Sequence, residues 1–352
     1  MSVRFLAVVF SIIATGALAQ GFAGLGTDAE GFSYPQAGHT LTFPQDHGPH
    51  PDFRIEWWYL TANLEGADGA EFGLQWTLFR SATRPEKAED WSVTQSFMAH
   101  AGLTTETRHY SAERFGRGGI GQAGVTASPF SAWIDDWQMT SRASAGDDAL
   151  SALNVRARGP AFSYDINLEA SGPLVFHGDN GYSVKSASGQ ASYYYSQPFY
   201  RVTGTIVLPT GPVEVTGQAW LDREWSSQPL DENQTGWDWL SLHFDDGSKL
   251  MGFRLRSRTD DAFTSATWVR PDGTTTTYGD GSLVMIPEAT ARVAGRTVPV
   301  GWRLQLPQRE LDITVEALNP QSWMDTLVAY WEGPVAAAGT HGGRGYLEMT
   351  GY

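Results

Sequence analysis

The sequence predicts an all-β protein built as two antiparallel β-barrels in tandem, and three observations carry that prediction. Apolar and polar residues alternate along many short segments, whereas no stretch longer than about ten residues keeps a helical spacing. Glycine is abundant, at 39 residues, and Asp-Gly pairs at 68–69, 246–247 and 272–273 supply the left-handed backbone that tight hairpin turns require. A segment around Trp58 is echoed around Asp238, which sets the number of barrels at two.

At the start of the chain, Arg4 precedes a mostly apolar run from Phe5 to Ala19 that closes on the small-residue triplet Ala17-Leu18-Ala19. This is the pattern of an export signal peptide, and it falls short of the roughly 20 apolar residues that a bilayer crossing needs. Residues 1–19 are therefore expected to be removed, leaving about 333 residues in the periplasm or outside the cell. That length suits two domains of ordinary size. They are expected at 20–185 and 186–352, joined across a Gly- and Ser-rich stretch at 178–192.

Composition removes several classes of function. The chain has no cysteine, so it carries no disulfide, thiolate metal site or cysteine nucleophile. Its formal net charge is −15, and loss of Arg4 with the leader makes it more negative still. Nucleic acid and anionic membranes are therefore poor partners, because either would call for a clustered basic face. No cofactor is expected: Gly119-Ile120-Gly121-Gln122-Ala123-Gly124 has the letters of a dinucleotide fingerprint, but Ser128-Pro129 follows where a helix should open. Serine-hydrolase elbows, phosphate-binding loops and His-Glu-x-x-His motifs are all missing from the sequence.

Strand faces follow from the alternation. Phe72, Leu74, Trp76 and Leu78 alternate with Gly73, Gln75 and Thr77, and Val213, Val215, Gly217, Ala219 and Leu221 alternate with their neighbours in the same way. In the repeat, Trp58-Tyr59-Leu60-Thr61-Ala62-Asn63-Leu64 corresponds to Asp238-Trp239-Leu240-Ser241-Leu242-His243-Phe244. Leu60/Leu240, Ala62/Leu242 and Leu64/Phe244 fall on one face, and Tyr59/Trp239, Thr61/Ser241 and Asn63/His243 on the other.

The densest chemistry lies in Trp220-Leu221-Asp222-Arg223-Glu224-Trp225, followed by Gly236-Trp237-Asp238-Trp239, with Tyr193 and Tyr195 upstream. Gln218, Trp220, Asp222 and Glu224 share one strand face. A carboxylic acid among aromatic walls would stay protonated near neutrality and could deliver that proton to a substrate, so Asp222, Glu224 and Tyr195 are the candidate catalytic groups. The indoles and phenols around them, Trp220, Trp225, Trp237, Trp239 and Tyr193, would line a cavity inside a barrel and steady a cation. The alternative is that the acids salt-bridge a barrel rim with Arg223 while the tryptophans fill the core. Glu56-Trp57-Trp58-Tyr59 is the matching feature of the first barrel. Trp58 and Tyr59 are candidate ligand contacts, together with Gln75 and His243, and Glu56 either pairs with Arg54 or Arg80 or faces the cavity. Asp46-His47-Gly48-Pro49-His50-Pro51-Asp52 groups two histidines with two carboxylates, but its spacing matches no metal motif, and it reads as a rigid loop.

At these residues the sequence resembles the AttH-like proteins and carotenoid 1,2-hydratases (hydroxyneurosporene synthases), a superfamily of lipocalin-like (calycin-like) double barrels. The likeness spans nearly the whole mature chain. It rests on His50-Pro51-Asp52 with Glu56-Trp57-Trp58-Tyr59, on Gly73-Leu74-Gln75-Trp76-Thr77-Leu78-Phe79-Arg80, on the 220–225 and 236–239 elements, and on Tyr330-Trp331-Glu332-Gly333 with Gly345-Tyr346-Leu347-Glu348-Met349-Thr350-Gly351-Tyr352. The resemblance implies an exported protein that holds an extended apolar molecule, a lipid, polyene or carotenoid, and whose partner is an export or ABC-type transport system. The alternative it implies is a hydro-lyase in which Asp222 protonates a terminal double bond, or a related cyclase or isomerase, since fungal relatives resemble pericyclases. The histidine that accompanies the acid in the hydratases has no clear counterpart here, where Tyr193-Tyr194-Tyr195 stands upstream.

Overall fold

A computed structural model describes residues 25, 27, 29–85, 94–259 and 261–352. The expected export leader lies outside the described residues. The alternating segments are strands. A meander opens the fold, made of β1 (Ile55–Gly66), β2 (Glu71–Ala82), β3 (Gln95–Thr105) and β4 (His109–Arg117). Shorter strands follow: β5 (Ala123–Ala127), β6 (Phe130–Ile134), β7 (Trp137–Ser141), β8 (Ala152–Arg158) and β9 (Ser163–Ala170). After β10 (Val175–Phe176) and β11 (Tyr182–Val184) come two long strands, β12 (Ala191–Leu208) and β13 (Gly211–Ser226). These thirteen strands form one antiparallel sheet in the order β4-β3-β2-β1-β13-β12-β9-β8-β7-β6-β5, with β10 and β11 both on β12, and the sheet curls into a nearly closed barrel.

The second sheet is a half-barrel. Its strands are β14 (Gln234–Phe244), β15 (Lys249–Ser257), β16 (Phe263–Val269), β17 (Thr275–Tyr278) and β18 (Val284–Val293), then β19 (Arg296–Leu306), β20 (Leu311–Ala317), β21 (Trp323–Met324), β22 (Tyr330–Gly339) and β23 (Gly343–Met349). They run in the order β17-β16-β15-β14-β23-β22-β20-β19-β18, with β21 on β22.

The change of sheet therefore falls between Ser226 and Gln234, downstream of the expected join at 178–192 and of the division into 20–185 and 186–352. Strands β12 and β13 stay with the first barrel because β13 pairs along the whole length of β1, from Ile55↔Ser226 to Gly66↔Val215. A barrel strand edge left unpaired would expose a row of backbone polar groups, and this pairing covers it. The Gly- and Ser-rich stretch instead carries β11 and its turn into β12.

The repeat explains how the two sheets meet. Leu60, Ala62 and Leu64 lie in the core of the first barrel, and Leu240, Leu242 and Phe244 in the core of the second. The opposite faces of β1 and β14 turn toward each other, so that Tyr59 meets Trp239 edge to face with ring centroids 5.2 Å apart. A third apolar cluster fills this seam, with Tyr194, Trp220, Leu230, Met251, Phe253 and Tyr346 among its members. The glycines of the Asp-Gly pairs at 68–69, 246–247 and 272–273 all have positive φ, +83° at Gly69, +85° at Gly247 and +86° at Gly273, as hairpin turns after β1, β14 and β16 require.

Candidate functional site

A cavity of about 510 Å³ opens in the seam between the two barrels. The expectation of a hollow inside a barrel is thereby corrected, because the barrel interiors are occupied by core side chains such as Trp58, Trp76, Trp137 and Trp225 in the first and Trp302 and Trp331 in the second. What lines the cavity is the outer face of each sheet. The first contributes Trp57 and Tyr59 from β1, Phe79 from β2, Met98 and His100 from β3, and Asp222 and Glu224 from β13. The facing sheet contributes Trp237 and Trp239 from β14, Phe253 and Leu255 from β15, Tyr330 from β22 and Glu348 from β23. The repeat thus supplies the aromatic walls twice, as Trp57/Trp237 and Tyr59/Trp239.

Strand register sets the floor. Glu113, His100, Thr77, Tyr59, Asp222 and Ser196 are successive cross-strand partners from β4 to β12. Direct partners on neighbouring strands project to the same side of a sheet. Six polar side chains therefore run in one row beneath the cavity.

Asp222 is buried and receives three donors: the Ser196 hydroxyl, the Tyr194 hydroxyl at 2.8 Å and Trp220 Nε1 at 2.6 Å. Trp239 Nε1 donates to the Tyr194 oxygen at 3.0 Å, which leaves the phenol proton for Asp222. His177 Nε2 lies 2.6 Å from Ser196 Oγ, and because Ser196 gives its proton to Asp222, the imidazole is the donor in that contact. Burial, aided by the charge of Lys185, holds His177 well below its usual pKa and hence neutral. Burial also pushes the Asp222 carboxyl up to about 7, against the pull of its three hydrogen bonds. Across the cavity Glu348 is likewise pushed up to about 7 by burial, and the charges of Asp222 and Glu224 add to that rise, while the indole N–H of Trp237 opposes it. Burial thus raises the carboxyls on both facing walls toward neutrality. Glu224 differs, being paired with Lys185 at 2.8 Å and hydrogen-bonded by Ser192.

The sequence candidates divide between two sides of the sheet. Asp222, Glu224, Tyr59, Trp237 and Trp239 line the cavity, and Trp220 stands behind Asp222 as its donor. Tyr195, Tyr193, Trp58 and Trp225 point into the first barrel instead. There the Tyr195 hydroxyl lies 2.7 Å from His47 Nδ1, Trp58 Nε1 donates to the His47 carbonyl at 2.9 Å, and Trp225 stacks on His50 at 3.9 Å. Glu56 is inside the barrel too, bridged by Arg80 and by Arg223 at 2.9 Å, with His50 at 2.9 Å; of the two arginines expected, Arg80 is the partner. These cations and His50 hold the Glu56 carboxyl well below the usual range although burial pushes it up. Gln75 and His243 face the seam away from the cavity, Gln75 donating to Thr77 and His243 donating to the Pro198 carbonyl at 3.0 Å. The Asp46–Asp52 loop spends its polar groups on the same network, His50 linking Asp46 at 3.1 Å to Glu56.

Sequence reasoning passed over Tyr194, Ser196, His177, Lys185, His100, Tyr330 and Glu348. The alternation along β12 held the signal for the first two: Tyr194 is the partner of Glu224, and Ser196 of Asp222. His177 sits outside every motif and acquires meaning only through the serine it touches.

The sequence profile of the AttH-like family matches residues 34–352. The chain belongs to the AttH-like family. Its structure superposes on the crystal structure of an AttH protein from Nitrosomonas europaea with a TM-score of 0.81 and 34% identity, over 91% of this chain and 100% of that one. Kievitone hydratase from Nectria haematococca superposes with a TM-score of 0.66 at 14% identity, covering 92% and 98% of the two chains. CghA, solved with Sch210972, gives 0.56 at 12% identity, covering 95% and 97%. At such identities these two share the fold with the AttH-like chain and nothing finer. No curated protein matches it.

Proposed function

We propose that this AttH-like protein binds an elongated apolar molecule between its barrels and protonates one of its carbon–carbon double bonds from Asp222, leading to hydration or isomerisation. The observation that carries the proposal is a buried carboxyl, unpaired with any cation among the described residues, that titrates near 7 in the wall of an aromatic cavity. A general acid works best when its pKa lies near the working pH. Proton transfer to the less substituted carbon uses the π pair to form the new C–H bond and leaves a cation on the neighbouring carbon. Tyr59, Trp237 and Trp239 line the same cavity as Asp222, and aromatic rings attract positive charge over their faces. The carboxylate left behind is already met by Ser196, Tyr194 and Trp220, so no reorganisation is needed as charge develops. In this reading Glu348, on the facing wall, takes a proton either from a water whose oxygen bonds to the cation or from an adjacent carbon. The resemblance of the 220–225 element to that of carotenoid hydratases supports this chemistry.

An acyclic carotenoid such as lycopene, incubated with the purified protein in isotopically labelled water, is the test. Mass spectrometry is expected to find product carrying label from water with the unaltered chain and none with Asp222→Asn, while tryptophan quenching shows that the variant still binds. Turnover unchanged in Asp222→Asn would overturn the assignment of the acid. A second reading is that of an exported carrier without covalent chemistry, delivering its cargo to a transport system. It is favoured by the walls of the cavity, where apolar side chains greatly outnumber acids, and by the leader expected at residues 1–19. Recovery of a bound, chemically unchanged lipid from the protein would select it.

A further inference from the structure

We infer that the far end of the cavity holds a second recognition centre, Tyr330–His100–Glu113, that accepts a hydrogen bond from the hydroxyl end of a neutral, elongated alcohol or phenol. The inference rests on the reading that the cavity holds an apolar ligand. His100 and Tyr330 line the cavity from opposite sheets. His100 Nε2 lies 3.1 Å from a Glu113 carboxylate oxygen, and Nδ1 lies 2.9 Å from the Tyr330 hydroxyl. Burial lowers the pKa of His100 in spite of Glu113, so the ring is neutral and has a single N–H. A carboxylate can only accept, which places that proton on Nε2 and leaves Nδ1 as a lone pair. Tyr330 therefore gives its one proton to the His100 lone pair; the Glu332 carboxyl beside it, pushed well above its usual range by burial, already accepts from the Tyr59 hydroxyl. The phenol then presents an oxygen lone pair to the cavity, an acceptor whose role is fixed from behind.

An acceptor in an apolar cavity favours a ligand that brings an O–H, and it discriminates against an aldehyde or hydrocarbon of the same shape. An anionic end is disfavoured by the Glu113 carboxylate at this end. Because His100 and Asp222 occupy the same cross-strand row three strands apart, the two centres lie about 14 Å from one another at ~4.8 Å per strand. A ligand touching both must be elongated, with its oxygen at one end and its unsaturation at the other. The Tyr330 end reaches solvent among the described residues: Phe115, which borders the cavity, and Leu327, whose backbone N–H donates to Glu113, are 52% and 76% exposed. An amphiphile entering apolar end first would come to rest in this orientation.

The test compares farnesol, farnesal and farnesene by quenching of tryptophan fluorescence in the full chain. Farnesol is expected to bind roughly fivefold tighter than farnesene, the effect of one neutral hydrogen bond, with farnesal no better than the hydrocarbon. Tyr330→Phe should erase the preference for farnesol. His100→Phe should free the Tyr330 proton for donation, so that farnesal now gains severalfold over farnesene, a change of selectivity that a purely structural role for His100 would not produce. Should Tyr330→Phe fail to fold, the His100 variant decides alone. Equal binding of farnesol and farnesene by the unaltered protein, or no gain for farnesal in His100→Phe, would overturn the inference while leaving apolar binding intact. Failure of all three probes to bind would instead remove the binding reading itself.

Discussion

Replacing Asp222 by Asn should make the protein more stable in alkali while changing it little in acid. The carboxyl titrates at 3.8 in the unfolded chain and at about 7 in the folded one. Between those values the folded state holds a proton that the unfolded state has lost, so stability falls as pH rises, by about 1.4 kcal/mol per pH unit. Over the interval the loss reaches about 4 kcal/mol, and above pH 7 it stays constant. Asn cannot ionise and escapes this loss. It keeps an oxygen for Ser196 and Trp220 but turns an amide toward Tyr194, at a cost of about 1 kcal/mol for one weakened hydrogen bond. The variant is thus expected to be slightly less stable than the parent at pH 4 and about 3 kcal/mol more stable at pH 8 to 9. Urea unfolding curves taken at unit pH intervals measure the difference directly, provided the slope m is shared. Glu348 is raised to about 7 partly by the charge of Asp222, so Glu348→Gln combined with Asp222→Asn should gain less than the sum of the two. A stability difference that stays flat from pH 4 to 9 would refute the burial of an uncompensated acid in the cavity wall, and with it the argument for Asp222 as proton donor.

Glu56 has the opposite sign. Its folded pKa is held low, so the stability it contributes is present above about pH 4.5 and is lost as pH falls below that value; Glu56→Gln, which strands Arg80 and Arg223 in the barrel, should cost about 3–5 kcal/mol at pH 7 in urea unfolding. Gly73→Ala tests the seam, because the added Cβ would lie 2.5 Å from the ring of Pro334 and 2.8 Å from the Tyr346 hydroxyl on the facing sheet. It is expected to destabilise by about 1–3 kcal/mol in thermal melts and to weaken farnesol quenching, since the walls of the cavity would be pried apart.

Much of the fold was legible because a period of two assigns every residue of a strand to one face or the other. The pairs Leu60/Leu240, Ala62/Leu242 and Leu64/Phe244 could be placed together from sequence, and each lies in a barrel core. What alternation cannot say is which environment a face meets. The face carrying Tyr59, Trp239, Asp222 and Glu224 was read as lining a barrel, but it meets the partner sheet, and that depends on how two barrels dock. Parity between strands is equally unreadable. In Tyr193-Tyr194-Tyr195 the outer two were chosen, yet the register of β12 against β13 sets Tyr194 beside Glu224 and Ser196 beside Asp222, which sends Tyr193 and Tyr195 inward. His100, Tyr330 and His177 come from separate strands and loops, so no local pattern could have joined them.

The density of Trp220-Leu221-Asp222-Arg223-Glu224-Trp225 now has a physical reason. Even positions face the cavity and odd positions face the barrel, so one strand serves two environments at once. On the barrel side Arg223 is wedged over the Trp58 ring at 3.9 Å, donates to the Gly48 carbonyl at 2.6 Å and pairs with Glu56. On the cavity side its neighbours Asp222 and Glu224 stand beside the aromatic walls. Burying such an ion pair adds little net stability, but it locks β13 against β1 at the register that sets Asp222 beside Tyr59. Arg223 is therefore a positioning residue for Asp222, and the buried charges inside the first barrel and the carboxyl of raised pKa outside it are two sides of the same strand.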